Sequence, residues 1–173
     1  LSGLVGSEMC IRDRFKHWIT TDGCDTRAWV LITEAVGGRQ VGCTMVGATW
    51  VSAYDGARTS NPSSFDIDHF VPLKEAWDSG ANRWSAAKRQ AFANDLGYAR
   101  SLIAVSASSN RSKSDQDPAE WLPASSTYRC TYVVTWVAVK YRWGLAMDTA
   151  EKRAVENVLS SCADTSIRLP AVA

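Results

Sequence analysis

The sequence predicts an α+β domain, and three observations carry that expectation. Stretches with helix caps and helical spacing are interleaved with stretches rich in β-branched and aromatic residues. One strand-like run ends on an acid–histidine pair, Asp68-His69, and a second runs toward Asn110. The last third of the chain reads as two helices joined by a short turn, hence antiparallel.

The elements follow in order. "CDTRAWVLITEA", from Cys24 to Ala35, reads as a helix with Asp25 or Thr26 at its N-cap, stopped by Gly37-Gly38. "VGCTMVGATWVSAY" reads as a strand, "YDG" as a turn and "ARTSNPSS" as a polar loop leading into the strand "FDIDHF". "LKEAWDSG" is a short helix ended by Gly80, and "SAAKRQAFANDL" a stronger one capped by Ser85. "SLIAVSA" is the next strand, and "SSNRSKSDQ" opens a helix after it. "DPAE", 117–120, has the acid, proline and glutamate of a helix start. A helix over 127–142 places Tyr132, Trp136, Val139 and Trp143 on one face and ends at Gly144. The capping box "DTAE", 148–151, starts the last helix, which continues to about Ser161.

Composition narrows the function classes. The 173 residues suit one domain, and 46% hydrophobic with 21% charged residues is a globular balance. Eight tryptophans should be core or half-buried anchors. No apolar run approaches the roughly 18 residues of a membrane span. A formal charge of +1 provides no broad basic field, so a nucleic-acid partner would be held by local cations or a metal.

Residues 1–14, "LSGLVGSEMCIRDR", lack an initiator Met and an amphipathic period, and "SEMCIRDR" resembles a translated sequencing adaptor. They are expected to be a non-native leader. The domain is then 15–164, with a flexible tail over 165–173 and any signal peptide lost upstream.

Setting Cys10 aside as a free leader thiol leaves Cys24, Cys43, Cys130 and Cys162, with no zinc-type C-x-x-C spacing. Buried free thiols in a cytosolic protein would be one explanation; disulfides in an oxidising compartment are the expectation. Cys130 and Cys162 each lie about 18 Å along their helix from the turn, so the two thiols come level at the far end of the hairpin. Cys24 with Cys43 is the complementary pair.

Only two histidines are present, His17 and His69. Asp68-His69 followed by Pro72 closes a strand, and "NRSKSDQDP" follows the next strand, with Asn110 at a strand-to-helix corner. Taken with "CDTRAWVL", "YDG", "DIDHFVPLKEAWDSGANRWSAAKRQAFANDL", "LIAVSASSNRSKSDQDPAEWLP" and "YRCTYVVTWVAVKYRWGL", this resembles an HNH endonuclease of the group similar to the C-terminal domain of GmrSD-type restriction enzymes, as found in secreted actinobacterial proteins. The resemblance covers about Phe15 to Cys162. The pieces "DH-x-V-P" and "NR-x-KSD" also occur in the HNH module of CRISPR effector nucleases.

The resemblance implies a ββα-metal core, surrounding helices and metal-dependent hydrolysis of DNA, with RNA as a further substrate, leaving a 5′-phosphate and a 3′-hydroxyl. Asp68 and Asn110 supply hard oxygen ligands for Mg²⁺ or Mn²⁺. His69 is the general base, its ordinary pKa of about 6.5 lying near working pH. On a regular strand His69 points away from Asp68, so a bulge or turn is expected to bring both to the site. Arg111 and Lys113 are candidate phosphate contacts, or members of a solvated helix face. Asp115 is a candidate outer ligand or a turn cap, and Asp66 shares the strand face of Asp68 at the rim. Arg27 is expected in a structural salt bridge, and His17 as an edge histidine packed between Phe15 and Trp18. The protein is expected to be a secreted monomer.

The sequence departs from the family pattern at the middle HNH position. The Asn that orients the histidine falls near Ser101, where a serine hydroxyl or a backbone carbonyl takes the role. An extracellular binding or structural module on the same fold is the alternative that this departure leaves open.

Overall fold

A hairpin of two widely separated strands organises the chain. The structure is a computed structural model that describes residues 11–167 and 169. Strands β1 (Thr20–Thr21) and β2 (Cys24–Asp25) pair antiparallel and lead into helix α1 (Thr26–Thr33). Asp25 caps that helix by accepting the Ala28 N–H at 2.7 Å. The helix is shorter than the sequence indicates because Cys24 and Asp25 are drawn into strand pairing.

The single strand expected across 41–54 is divided. β3 (Arg39–Val41) and β4 (Thr44–Val46) form a tight hairpin, and β5 (Trp50–Val51) pairs separately with β6 (Arg58–Thr59). Gly42 and Gly47, at φ of 58° and 71°, supply the left-handed backbone that bends the chain where a β-branched residue would be strained.

β7 (Phe65–His69) pairs antiparallel with β8 (Leu102–Ser106), in regular register from Phe65 opposite Ser106 to His69 opposite Leu102. Between them lie α2 (Leu73–Asp78) and α3 (Ala86–Ala93), and α4 (Ala107–Lys113) leaves the end of β8 with Ser106 as its N-cap. The strand alternation separates two cores. Phe65, Ile67, Leu102 and Ala104 pack on Val30 and Trp50. Ile103 and Val105 join the larger core of Phe70, Val71, Tyr132 and Trp136.

The C-terminal hairpin is α5 (Arg129–Trp143) and α6 (Thr149–Leu159). Tyr132, Trp136, Val139 and Trp143 are buried on one face of α5, as their spacing indicates. Gly144 ends α5 at φ 66°, and the Leu145 N–H reaches back to the Lys140 carbonyl at 2.9 Å. The Asp148–Glu151 capping box is formed at α6. Both disulfides are made: Cys130 to Cys162 with 5.7 Å between Cα atoms, and Cys24 to Cys43 with 5.5 Å.

"DPAE" does not start a helix. The Asp117 carboxylate accepts the Ala119 N–H at 2.6 Å and its carbonyl closes one turn onto Trp121 at 2.9 Å. Pro123 then stops the turn, since it lacks an N–H and disfavours helical backbone at Leu122.

Part of the expected leader is packed into the fold. Ile11 lies against the larger core, and the Arg14 carbonyl accepts from Arg89 at 3.1 Å. Cys10 and most of the expected tail lie outside the described residues.

Candidate active site

Asp68 and His69 sit at the end of β7 with side chains on opposite faces of the strand, and no bulge intervenes. A cleft of about 450 Å³ wraps the strand end and is lined by Asp66, Asp68 and His69 from β7 and by Asn110, Arg111 and Asp115 from α4 and its exit. Arg12, Trp18 and Lys74 complete the wall relevant here.

On one face, α4 crosses the two aspartates. Asn110 donates Nδ2–H to Asp66 at 3.1 Å. Lys113, fully buried, places Nζ 2.9 Å from Asp68 Oδ1 and 2.8 Å from Oδ2, and 3.1 Å from the His69 carbonyl. The buried Tyr54 hydroxyl donates to Asp68 Oδ2 at 2.6 Å. Burial pushes the Asp68 carboxyl up and the Lys113 ammonium down from their ordinary ranges, each opposed by the attraction of the other. Lys113 therefore faces Asp68, where the sequence offered a phosphate contact or a solvated helix face. Arg111 is exposed on the cleft wall and Asp115 half-buried.

On the other face, the half-buried His69 imidazole lies between Trp18 and the end of α3. Its Nε2 is 2.9 Å from the Ala93 carbonyl. A carbonyl only accepts, so Nε2 carries the hydrogen and Nδ1 is the ring's acceptor. Ala93 is free to accept because it lies in the last turn of α3, whose carbonyls have no helical partner. The Trp18 indole stacks on the imidazole, centroids 5.3 Å apart and planes 17° apart. Removal from water pulls the His69 pKa down to about 3, well below the 6.5 of the free side chain; the Ala93 bond opposes this shift and the nearby His17 adds to it. The ring is neutral across the physiological range.

Asn94 holds this arrangement together. Its Nδ2 donates to the Lys16 carbonyl at 2.7 Å and to the Gln90 carbonyl at 2.8 Å. Its Oδ1 accepts from the Ile19 N–H at 3.1 Å and the Thr26 hydroxyl at 2.7 Å. The end of α3 is thereby tied to the segment carrying Trp18, which adopts a left-handed φ of 56°.

Ser101, the expected middle position, is engaged elsewhere. Its hydroxyl donates to Asp95 at 2.8 Å within a network that includes Arg142 and Trp143, and its carbonyl accepts the Phe70 N–H at 3.0 Å. His17 bonds the Phe15 carbonyl at 2.8 Å and lies edge-on to Trp18, with its ring 6.0 Å from His69. Arg27 makes no salt bridge among the described residues; it donates to the Pro62 and Phe65 carbonyls at 3.0 and 2.8 Å, securing the start of β7. Trp18, Tyr54, Ala93 and Asn94 are site residues that sequence reasoning missed. Trp18, adjoining His17, carried the one local signal.

Hard oxygen donors thus converge on one cleft wall. Asp66 and Asn110 are adjacent, and Asp68 reaches the same cleft. A carboxylate has about four acceptor positions, and Lys113 and Tyr54 use three on Asp68, leaving one. The donor set fits a hard divalent ion. A separate acidic group, Asp117, Asp148 and Glu151, lies away from this cleft; Glu151 there is engaged by Trp136 and Lys140.

One polar cleft on an α+β scaffold thus joins the His69 imidazole to the carboxylates of Asp66 and Asp68. Residues 38–156 match the family described as GmrSD restriction endonucleases, C-terminal domain, and the chain belongs to that family. An "Uncharacterized secreted protein" of the fungus Arthroderma benhamiae is 44% identical over 153 residues, covering 87% of this chain and 74% of its own length. No solved structure matches. With two disulfides and a secreted relative of this similarity, the chain is a secreted protein. No helix of the described residues is long and apolar enough to cross a membrane.

Proposed function

We propose that the protein is an HNH endonuclease that hydrolyses phosphodiester bonds of nucleic acid, DNA foremost, on a ββα-metal core formed by β7, β8 and α4. The observation that carries the proposal is the His69–Ala93 hydrogen bond. It supports a neutral imidazole whose Nδ1 takes a proton from the attacking water. Trp18 stacks on the ring and limits its rotation. Asp68 and Asn110 would hold Mg²⁺ or Mn²⁺, with Asp66 beside Asn110 steadying its carboxamide. When bound, the ion supplies Lewis-acid stabilisation of the phosphorane charge and of the leaving oxygen. Arg111 at the cleft wall is the proposed phosphate contact, joined by Arg12 and Lys74.

With Ala93 in the orienting role, the departure at Ser101 does not favour a binding module over an enzyme. The test is titration calorimetry with Mn²⁺ on the wild type, Asp68→Ala and Asn110→Ala. Binding lost in Asp68→Ala and weakened in Asn110→Ala is expected. Wild-type affinity in the double variant would rule the site out.

A further inference from the structure

Lys113 has a place that phosphate binding does not explain. Arg12, Lys74 and Arg111 line the cleft, whereas the Lys113 side chain is 0% exposed and its Nζ lies within 2.9 Å of both Asp68 oxygens. Burying a lysine against an aspartate stabilises a fold less than an apolar pair of similar volume would. Stability is therefore a weak account of it. The ammonium occupies the very carboxylate that is the proposed metal ligand.

We infer that Lys113 is a positioning residue and built-in counter-cation, which keeps the site weak for free divalent ions and couples metal binding to nucleic-acid binding. This rests on Asp68 and Asn110 being the metal ligands. Asp66 and Asp68 with Lys113 leave the ligand group itself one net negative charge, too little to hold a divalent ion strongly by itself. A substrate phosphate adds the missing negative charge, so each ligand strengthens the other by the same factor. The second bond of Lys113, to the His69 carbonyl, fixes the His69–Phe70 peptide at the end of β7.

The probes are Mn²⁺ alone and Mn²⁺ with a non-cleavable phosphorothioate duplex, both by titration calorimetry. Wild type should bind Mn²⁺ about tenfold more tightly with the duplex than without, within the range usual for coupled sites. Lys113→Met should bind Mn²⁺ alone about tenfold more tightly than wild type, with the coupling reduced. Lys113→Gln is the second variant, in case the methionine chain does not fold. A lysine needed only to hold Asp68 in place would give weaker Mn²⁺ binding on removal. Equal wild-type affinity with and without duplex, or folded variants that bind Mn²⁺ no more tightly than wild type, overturns the inference. If wild type binds no Mn²⁺, or Asp68→Ala binds as wild type does, the ligand assignment has failed instead.

Discussion

The His69 imidazole donates Nε2–H to the carbonyl of Ala93, 24 residues along the chain and at the end of a helix, over 2.9 Å. The bond sets the tautomer, and burial keeps the ring neutral. The imidazole is thereby neutral at any physiological pH, the form that the proposed general base requires.

That same burial has a consequence for stability. The folded pKa of His69 is about 3 against 6.5 unfolded, so between these values the unfolded chain binds more protons and stability falls on acidification. Glu34 acts in the opposite sense. Burial raises its pKa to about 7 from 4.5, so its contribution is present at low pH and is lost as pH rises through that interval. Each slope is at most about 1.4 kcal/mol per pH unit. Urea unfolding between pH 5 and 6.5 should show His69→Gln losing stability as pH rises, relative to wild type, and Glu34→Gln gaining it. Parallel curves for the two variants would refute the assignment.

Trp18→Ala should lower kcat by up to about tenfold with little change in KM, the scale of one aromatic pair. The indole is expected to hold the imidazole and not the substrate. Steady-state cleavage of a labelled oligonucleotide measures this. A rise in KM alone would make Trp18 a substrate contact.

Much of this was legible in the sequence, for local reasons. The "DTAE" box, the Ser85 cap and Gly144 each act on neighbouring backbone, so they are visible in a linear chain. The 130–162 bridge followed from two helix lengths. Gly42 and Gly47 were hidden inside a strand-like composition, where β-propensity outweighed two turn positions. The site was half readable. Asp68, His69 and Asn110 lie in motifs, whereas the partner of His69 is a main-chain carbonyl, and no residue type marks a carbonyl. Lys113 was misplaced because a lysine beside an arginine on a short helix reads as exposed, and only the tertiary fold brings Asp68 against it.

The Cys130–Cys162 bridge closes a separation of 32 residues at the outer end of the helical hairpin. Replacing both by serine should cost about 3 to 4 kcal/mol through the freer unfolded chain. Denaturant unfolding measures the loss, and a change below about 1 kcal/mol would mean that the α5–α6 packing alone holds the hairpin.

The central measurement is plasmid cleavage by His69→Ala beside wild type, in Mg²⁺ or Mn²⁺ and again in EDTA, with thermal melts of both proteins. Wild type is expected to convert supercoiled plasmid only with metal. Folded His69→Ala is expected to be slower by about 10² to 10⁴, the usual worth of a positioned base. Cleavage by His69→Ala at the wild-type rate, or wild-type cleavage undiminished by EDTA, would contradict the account.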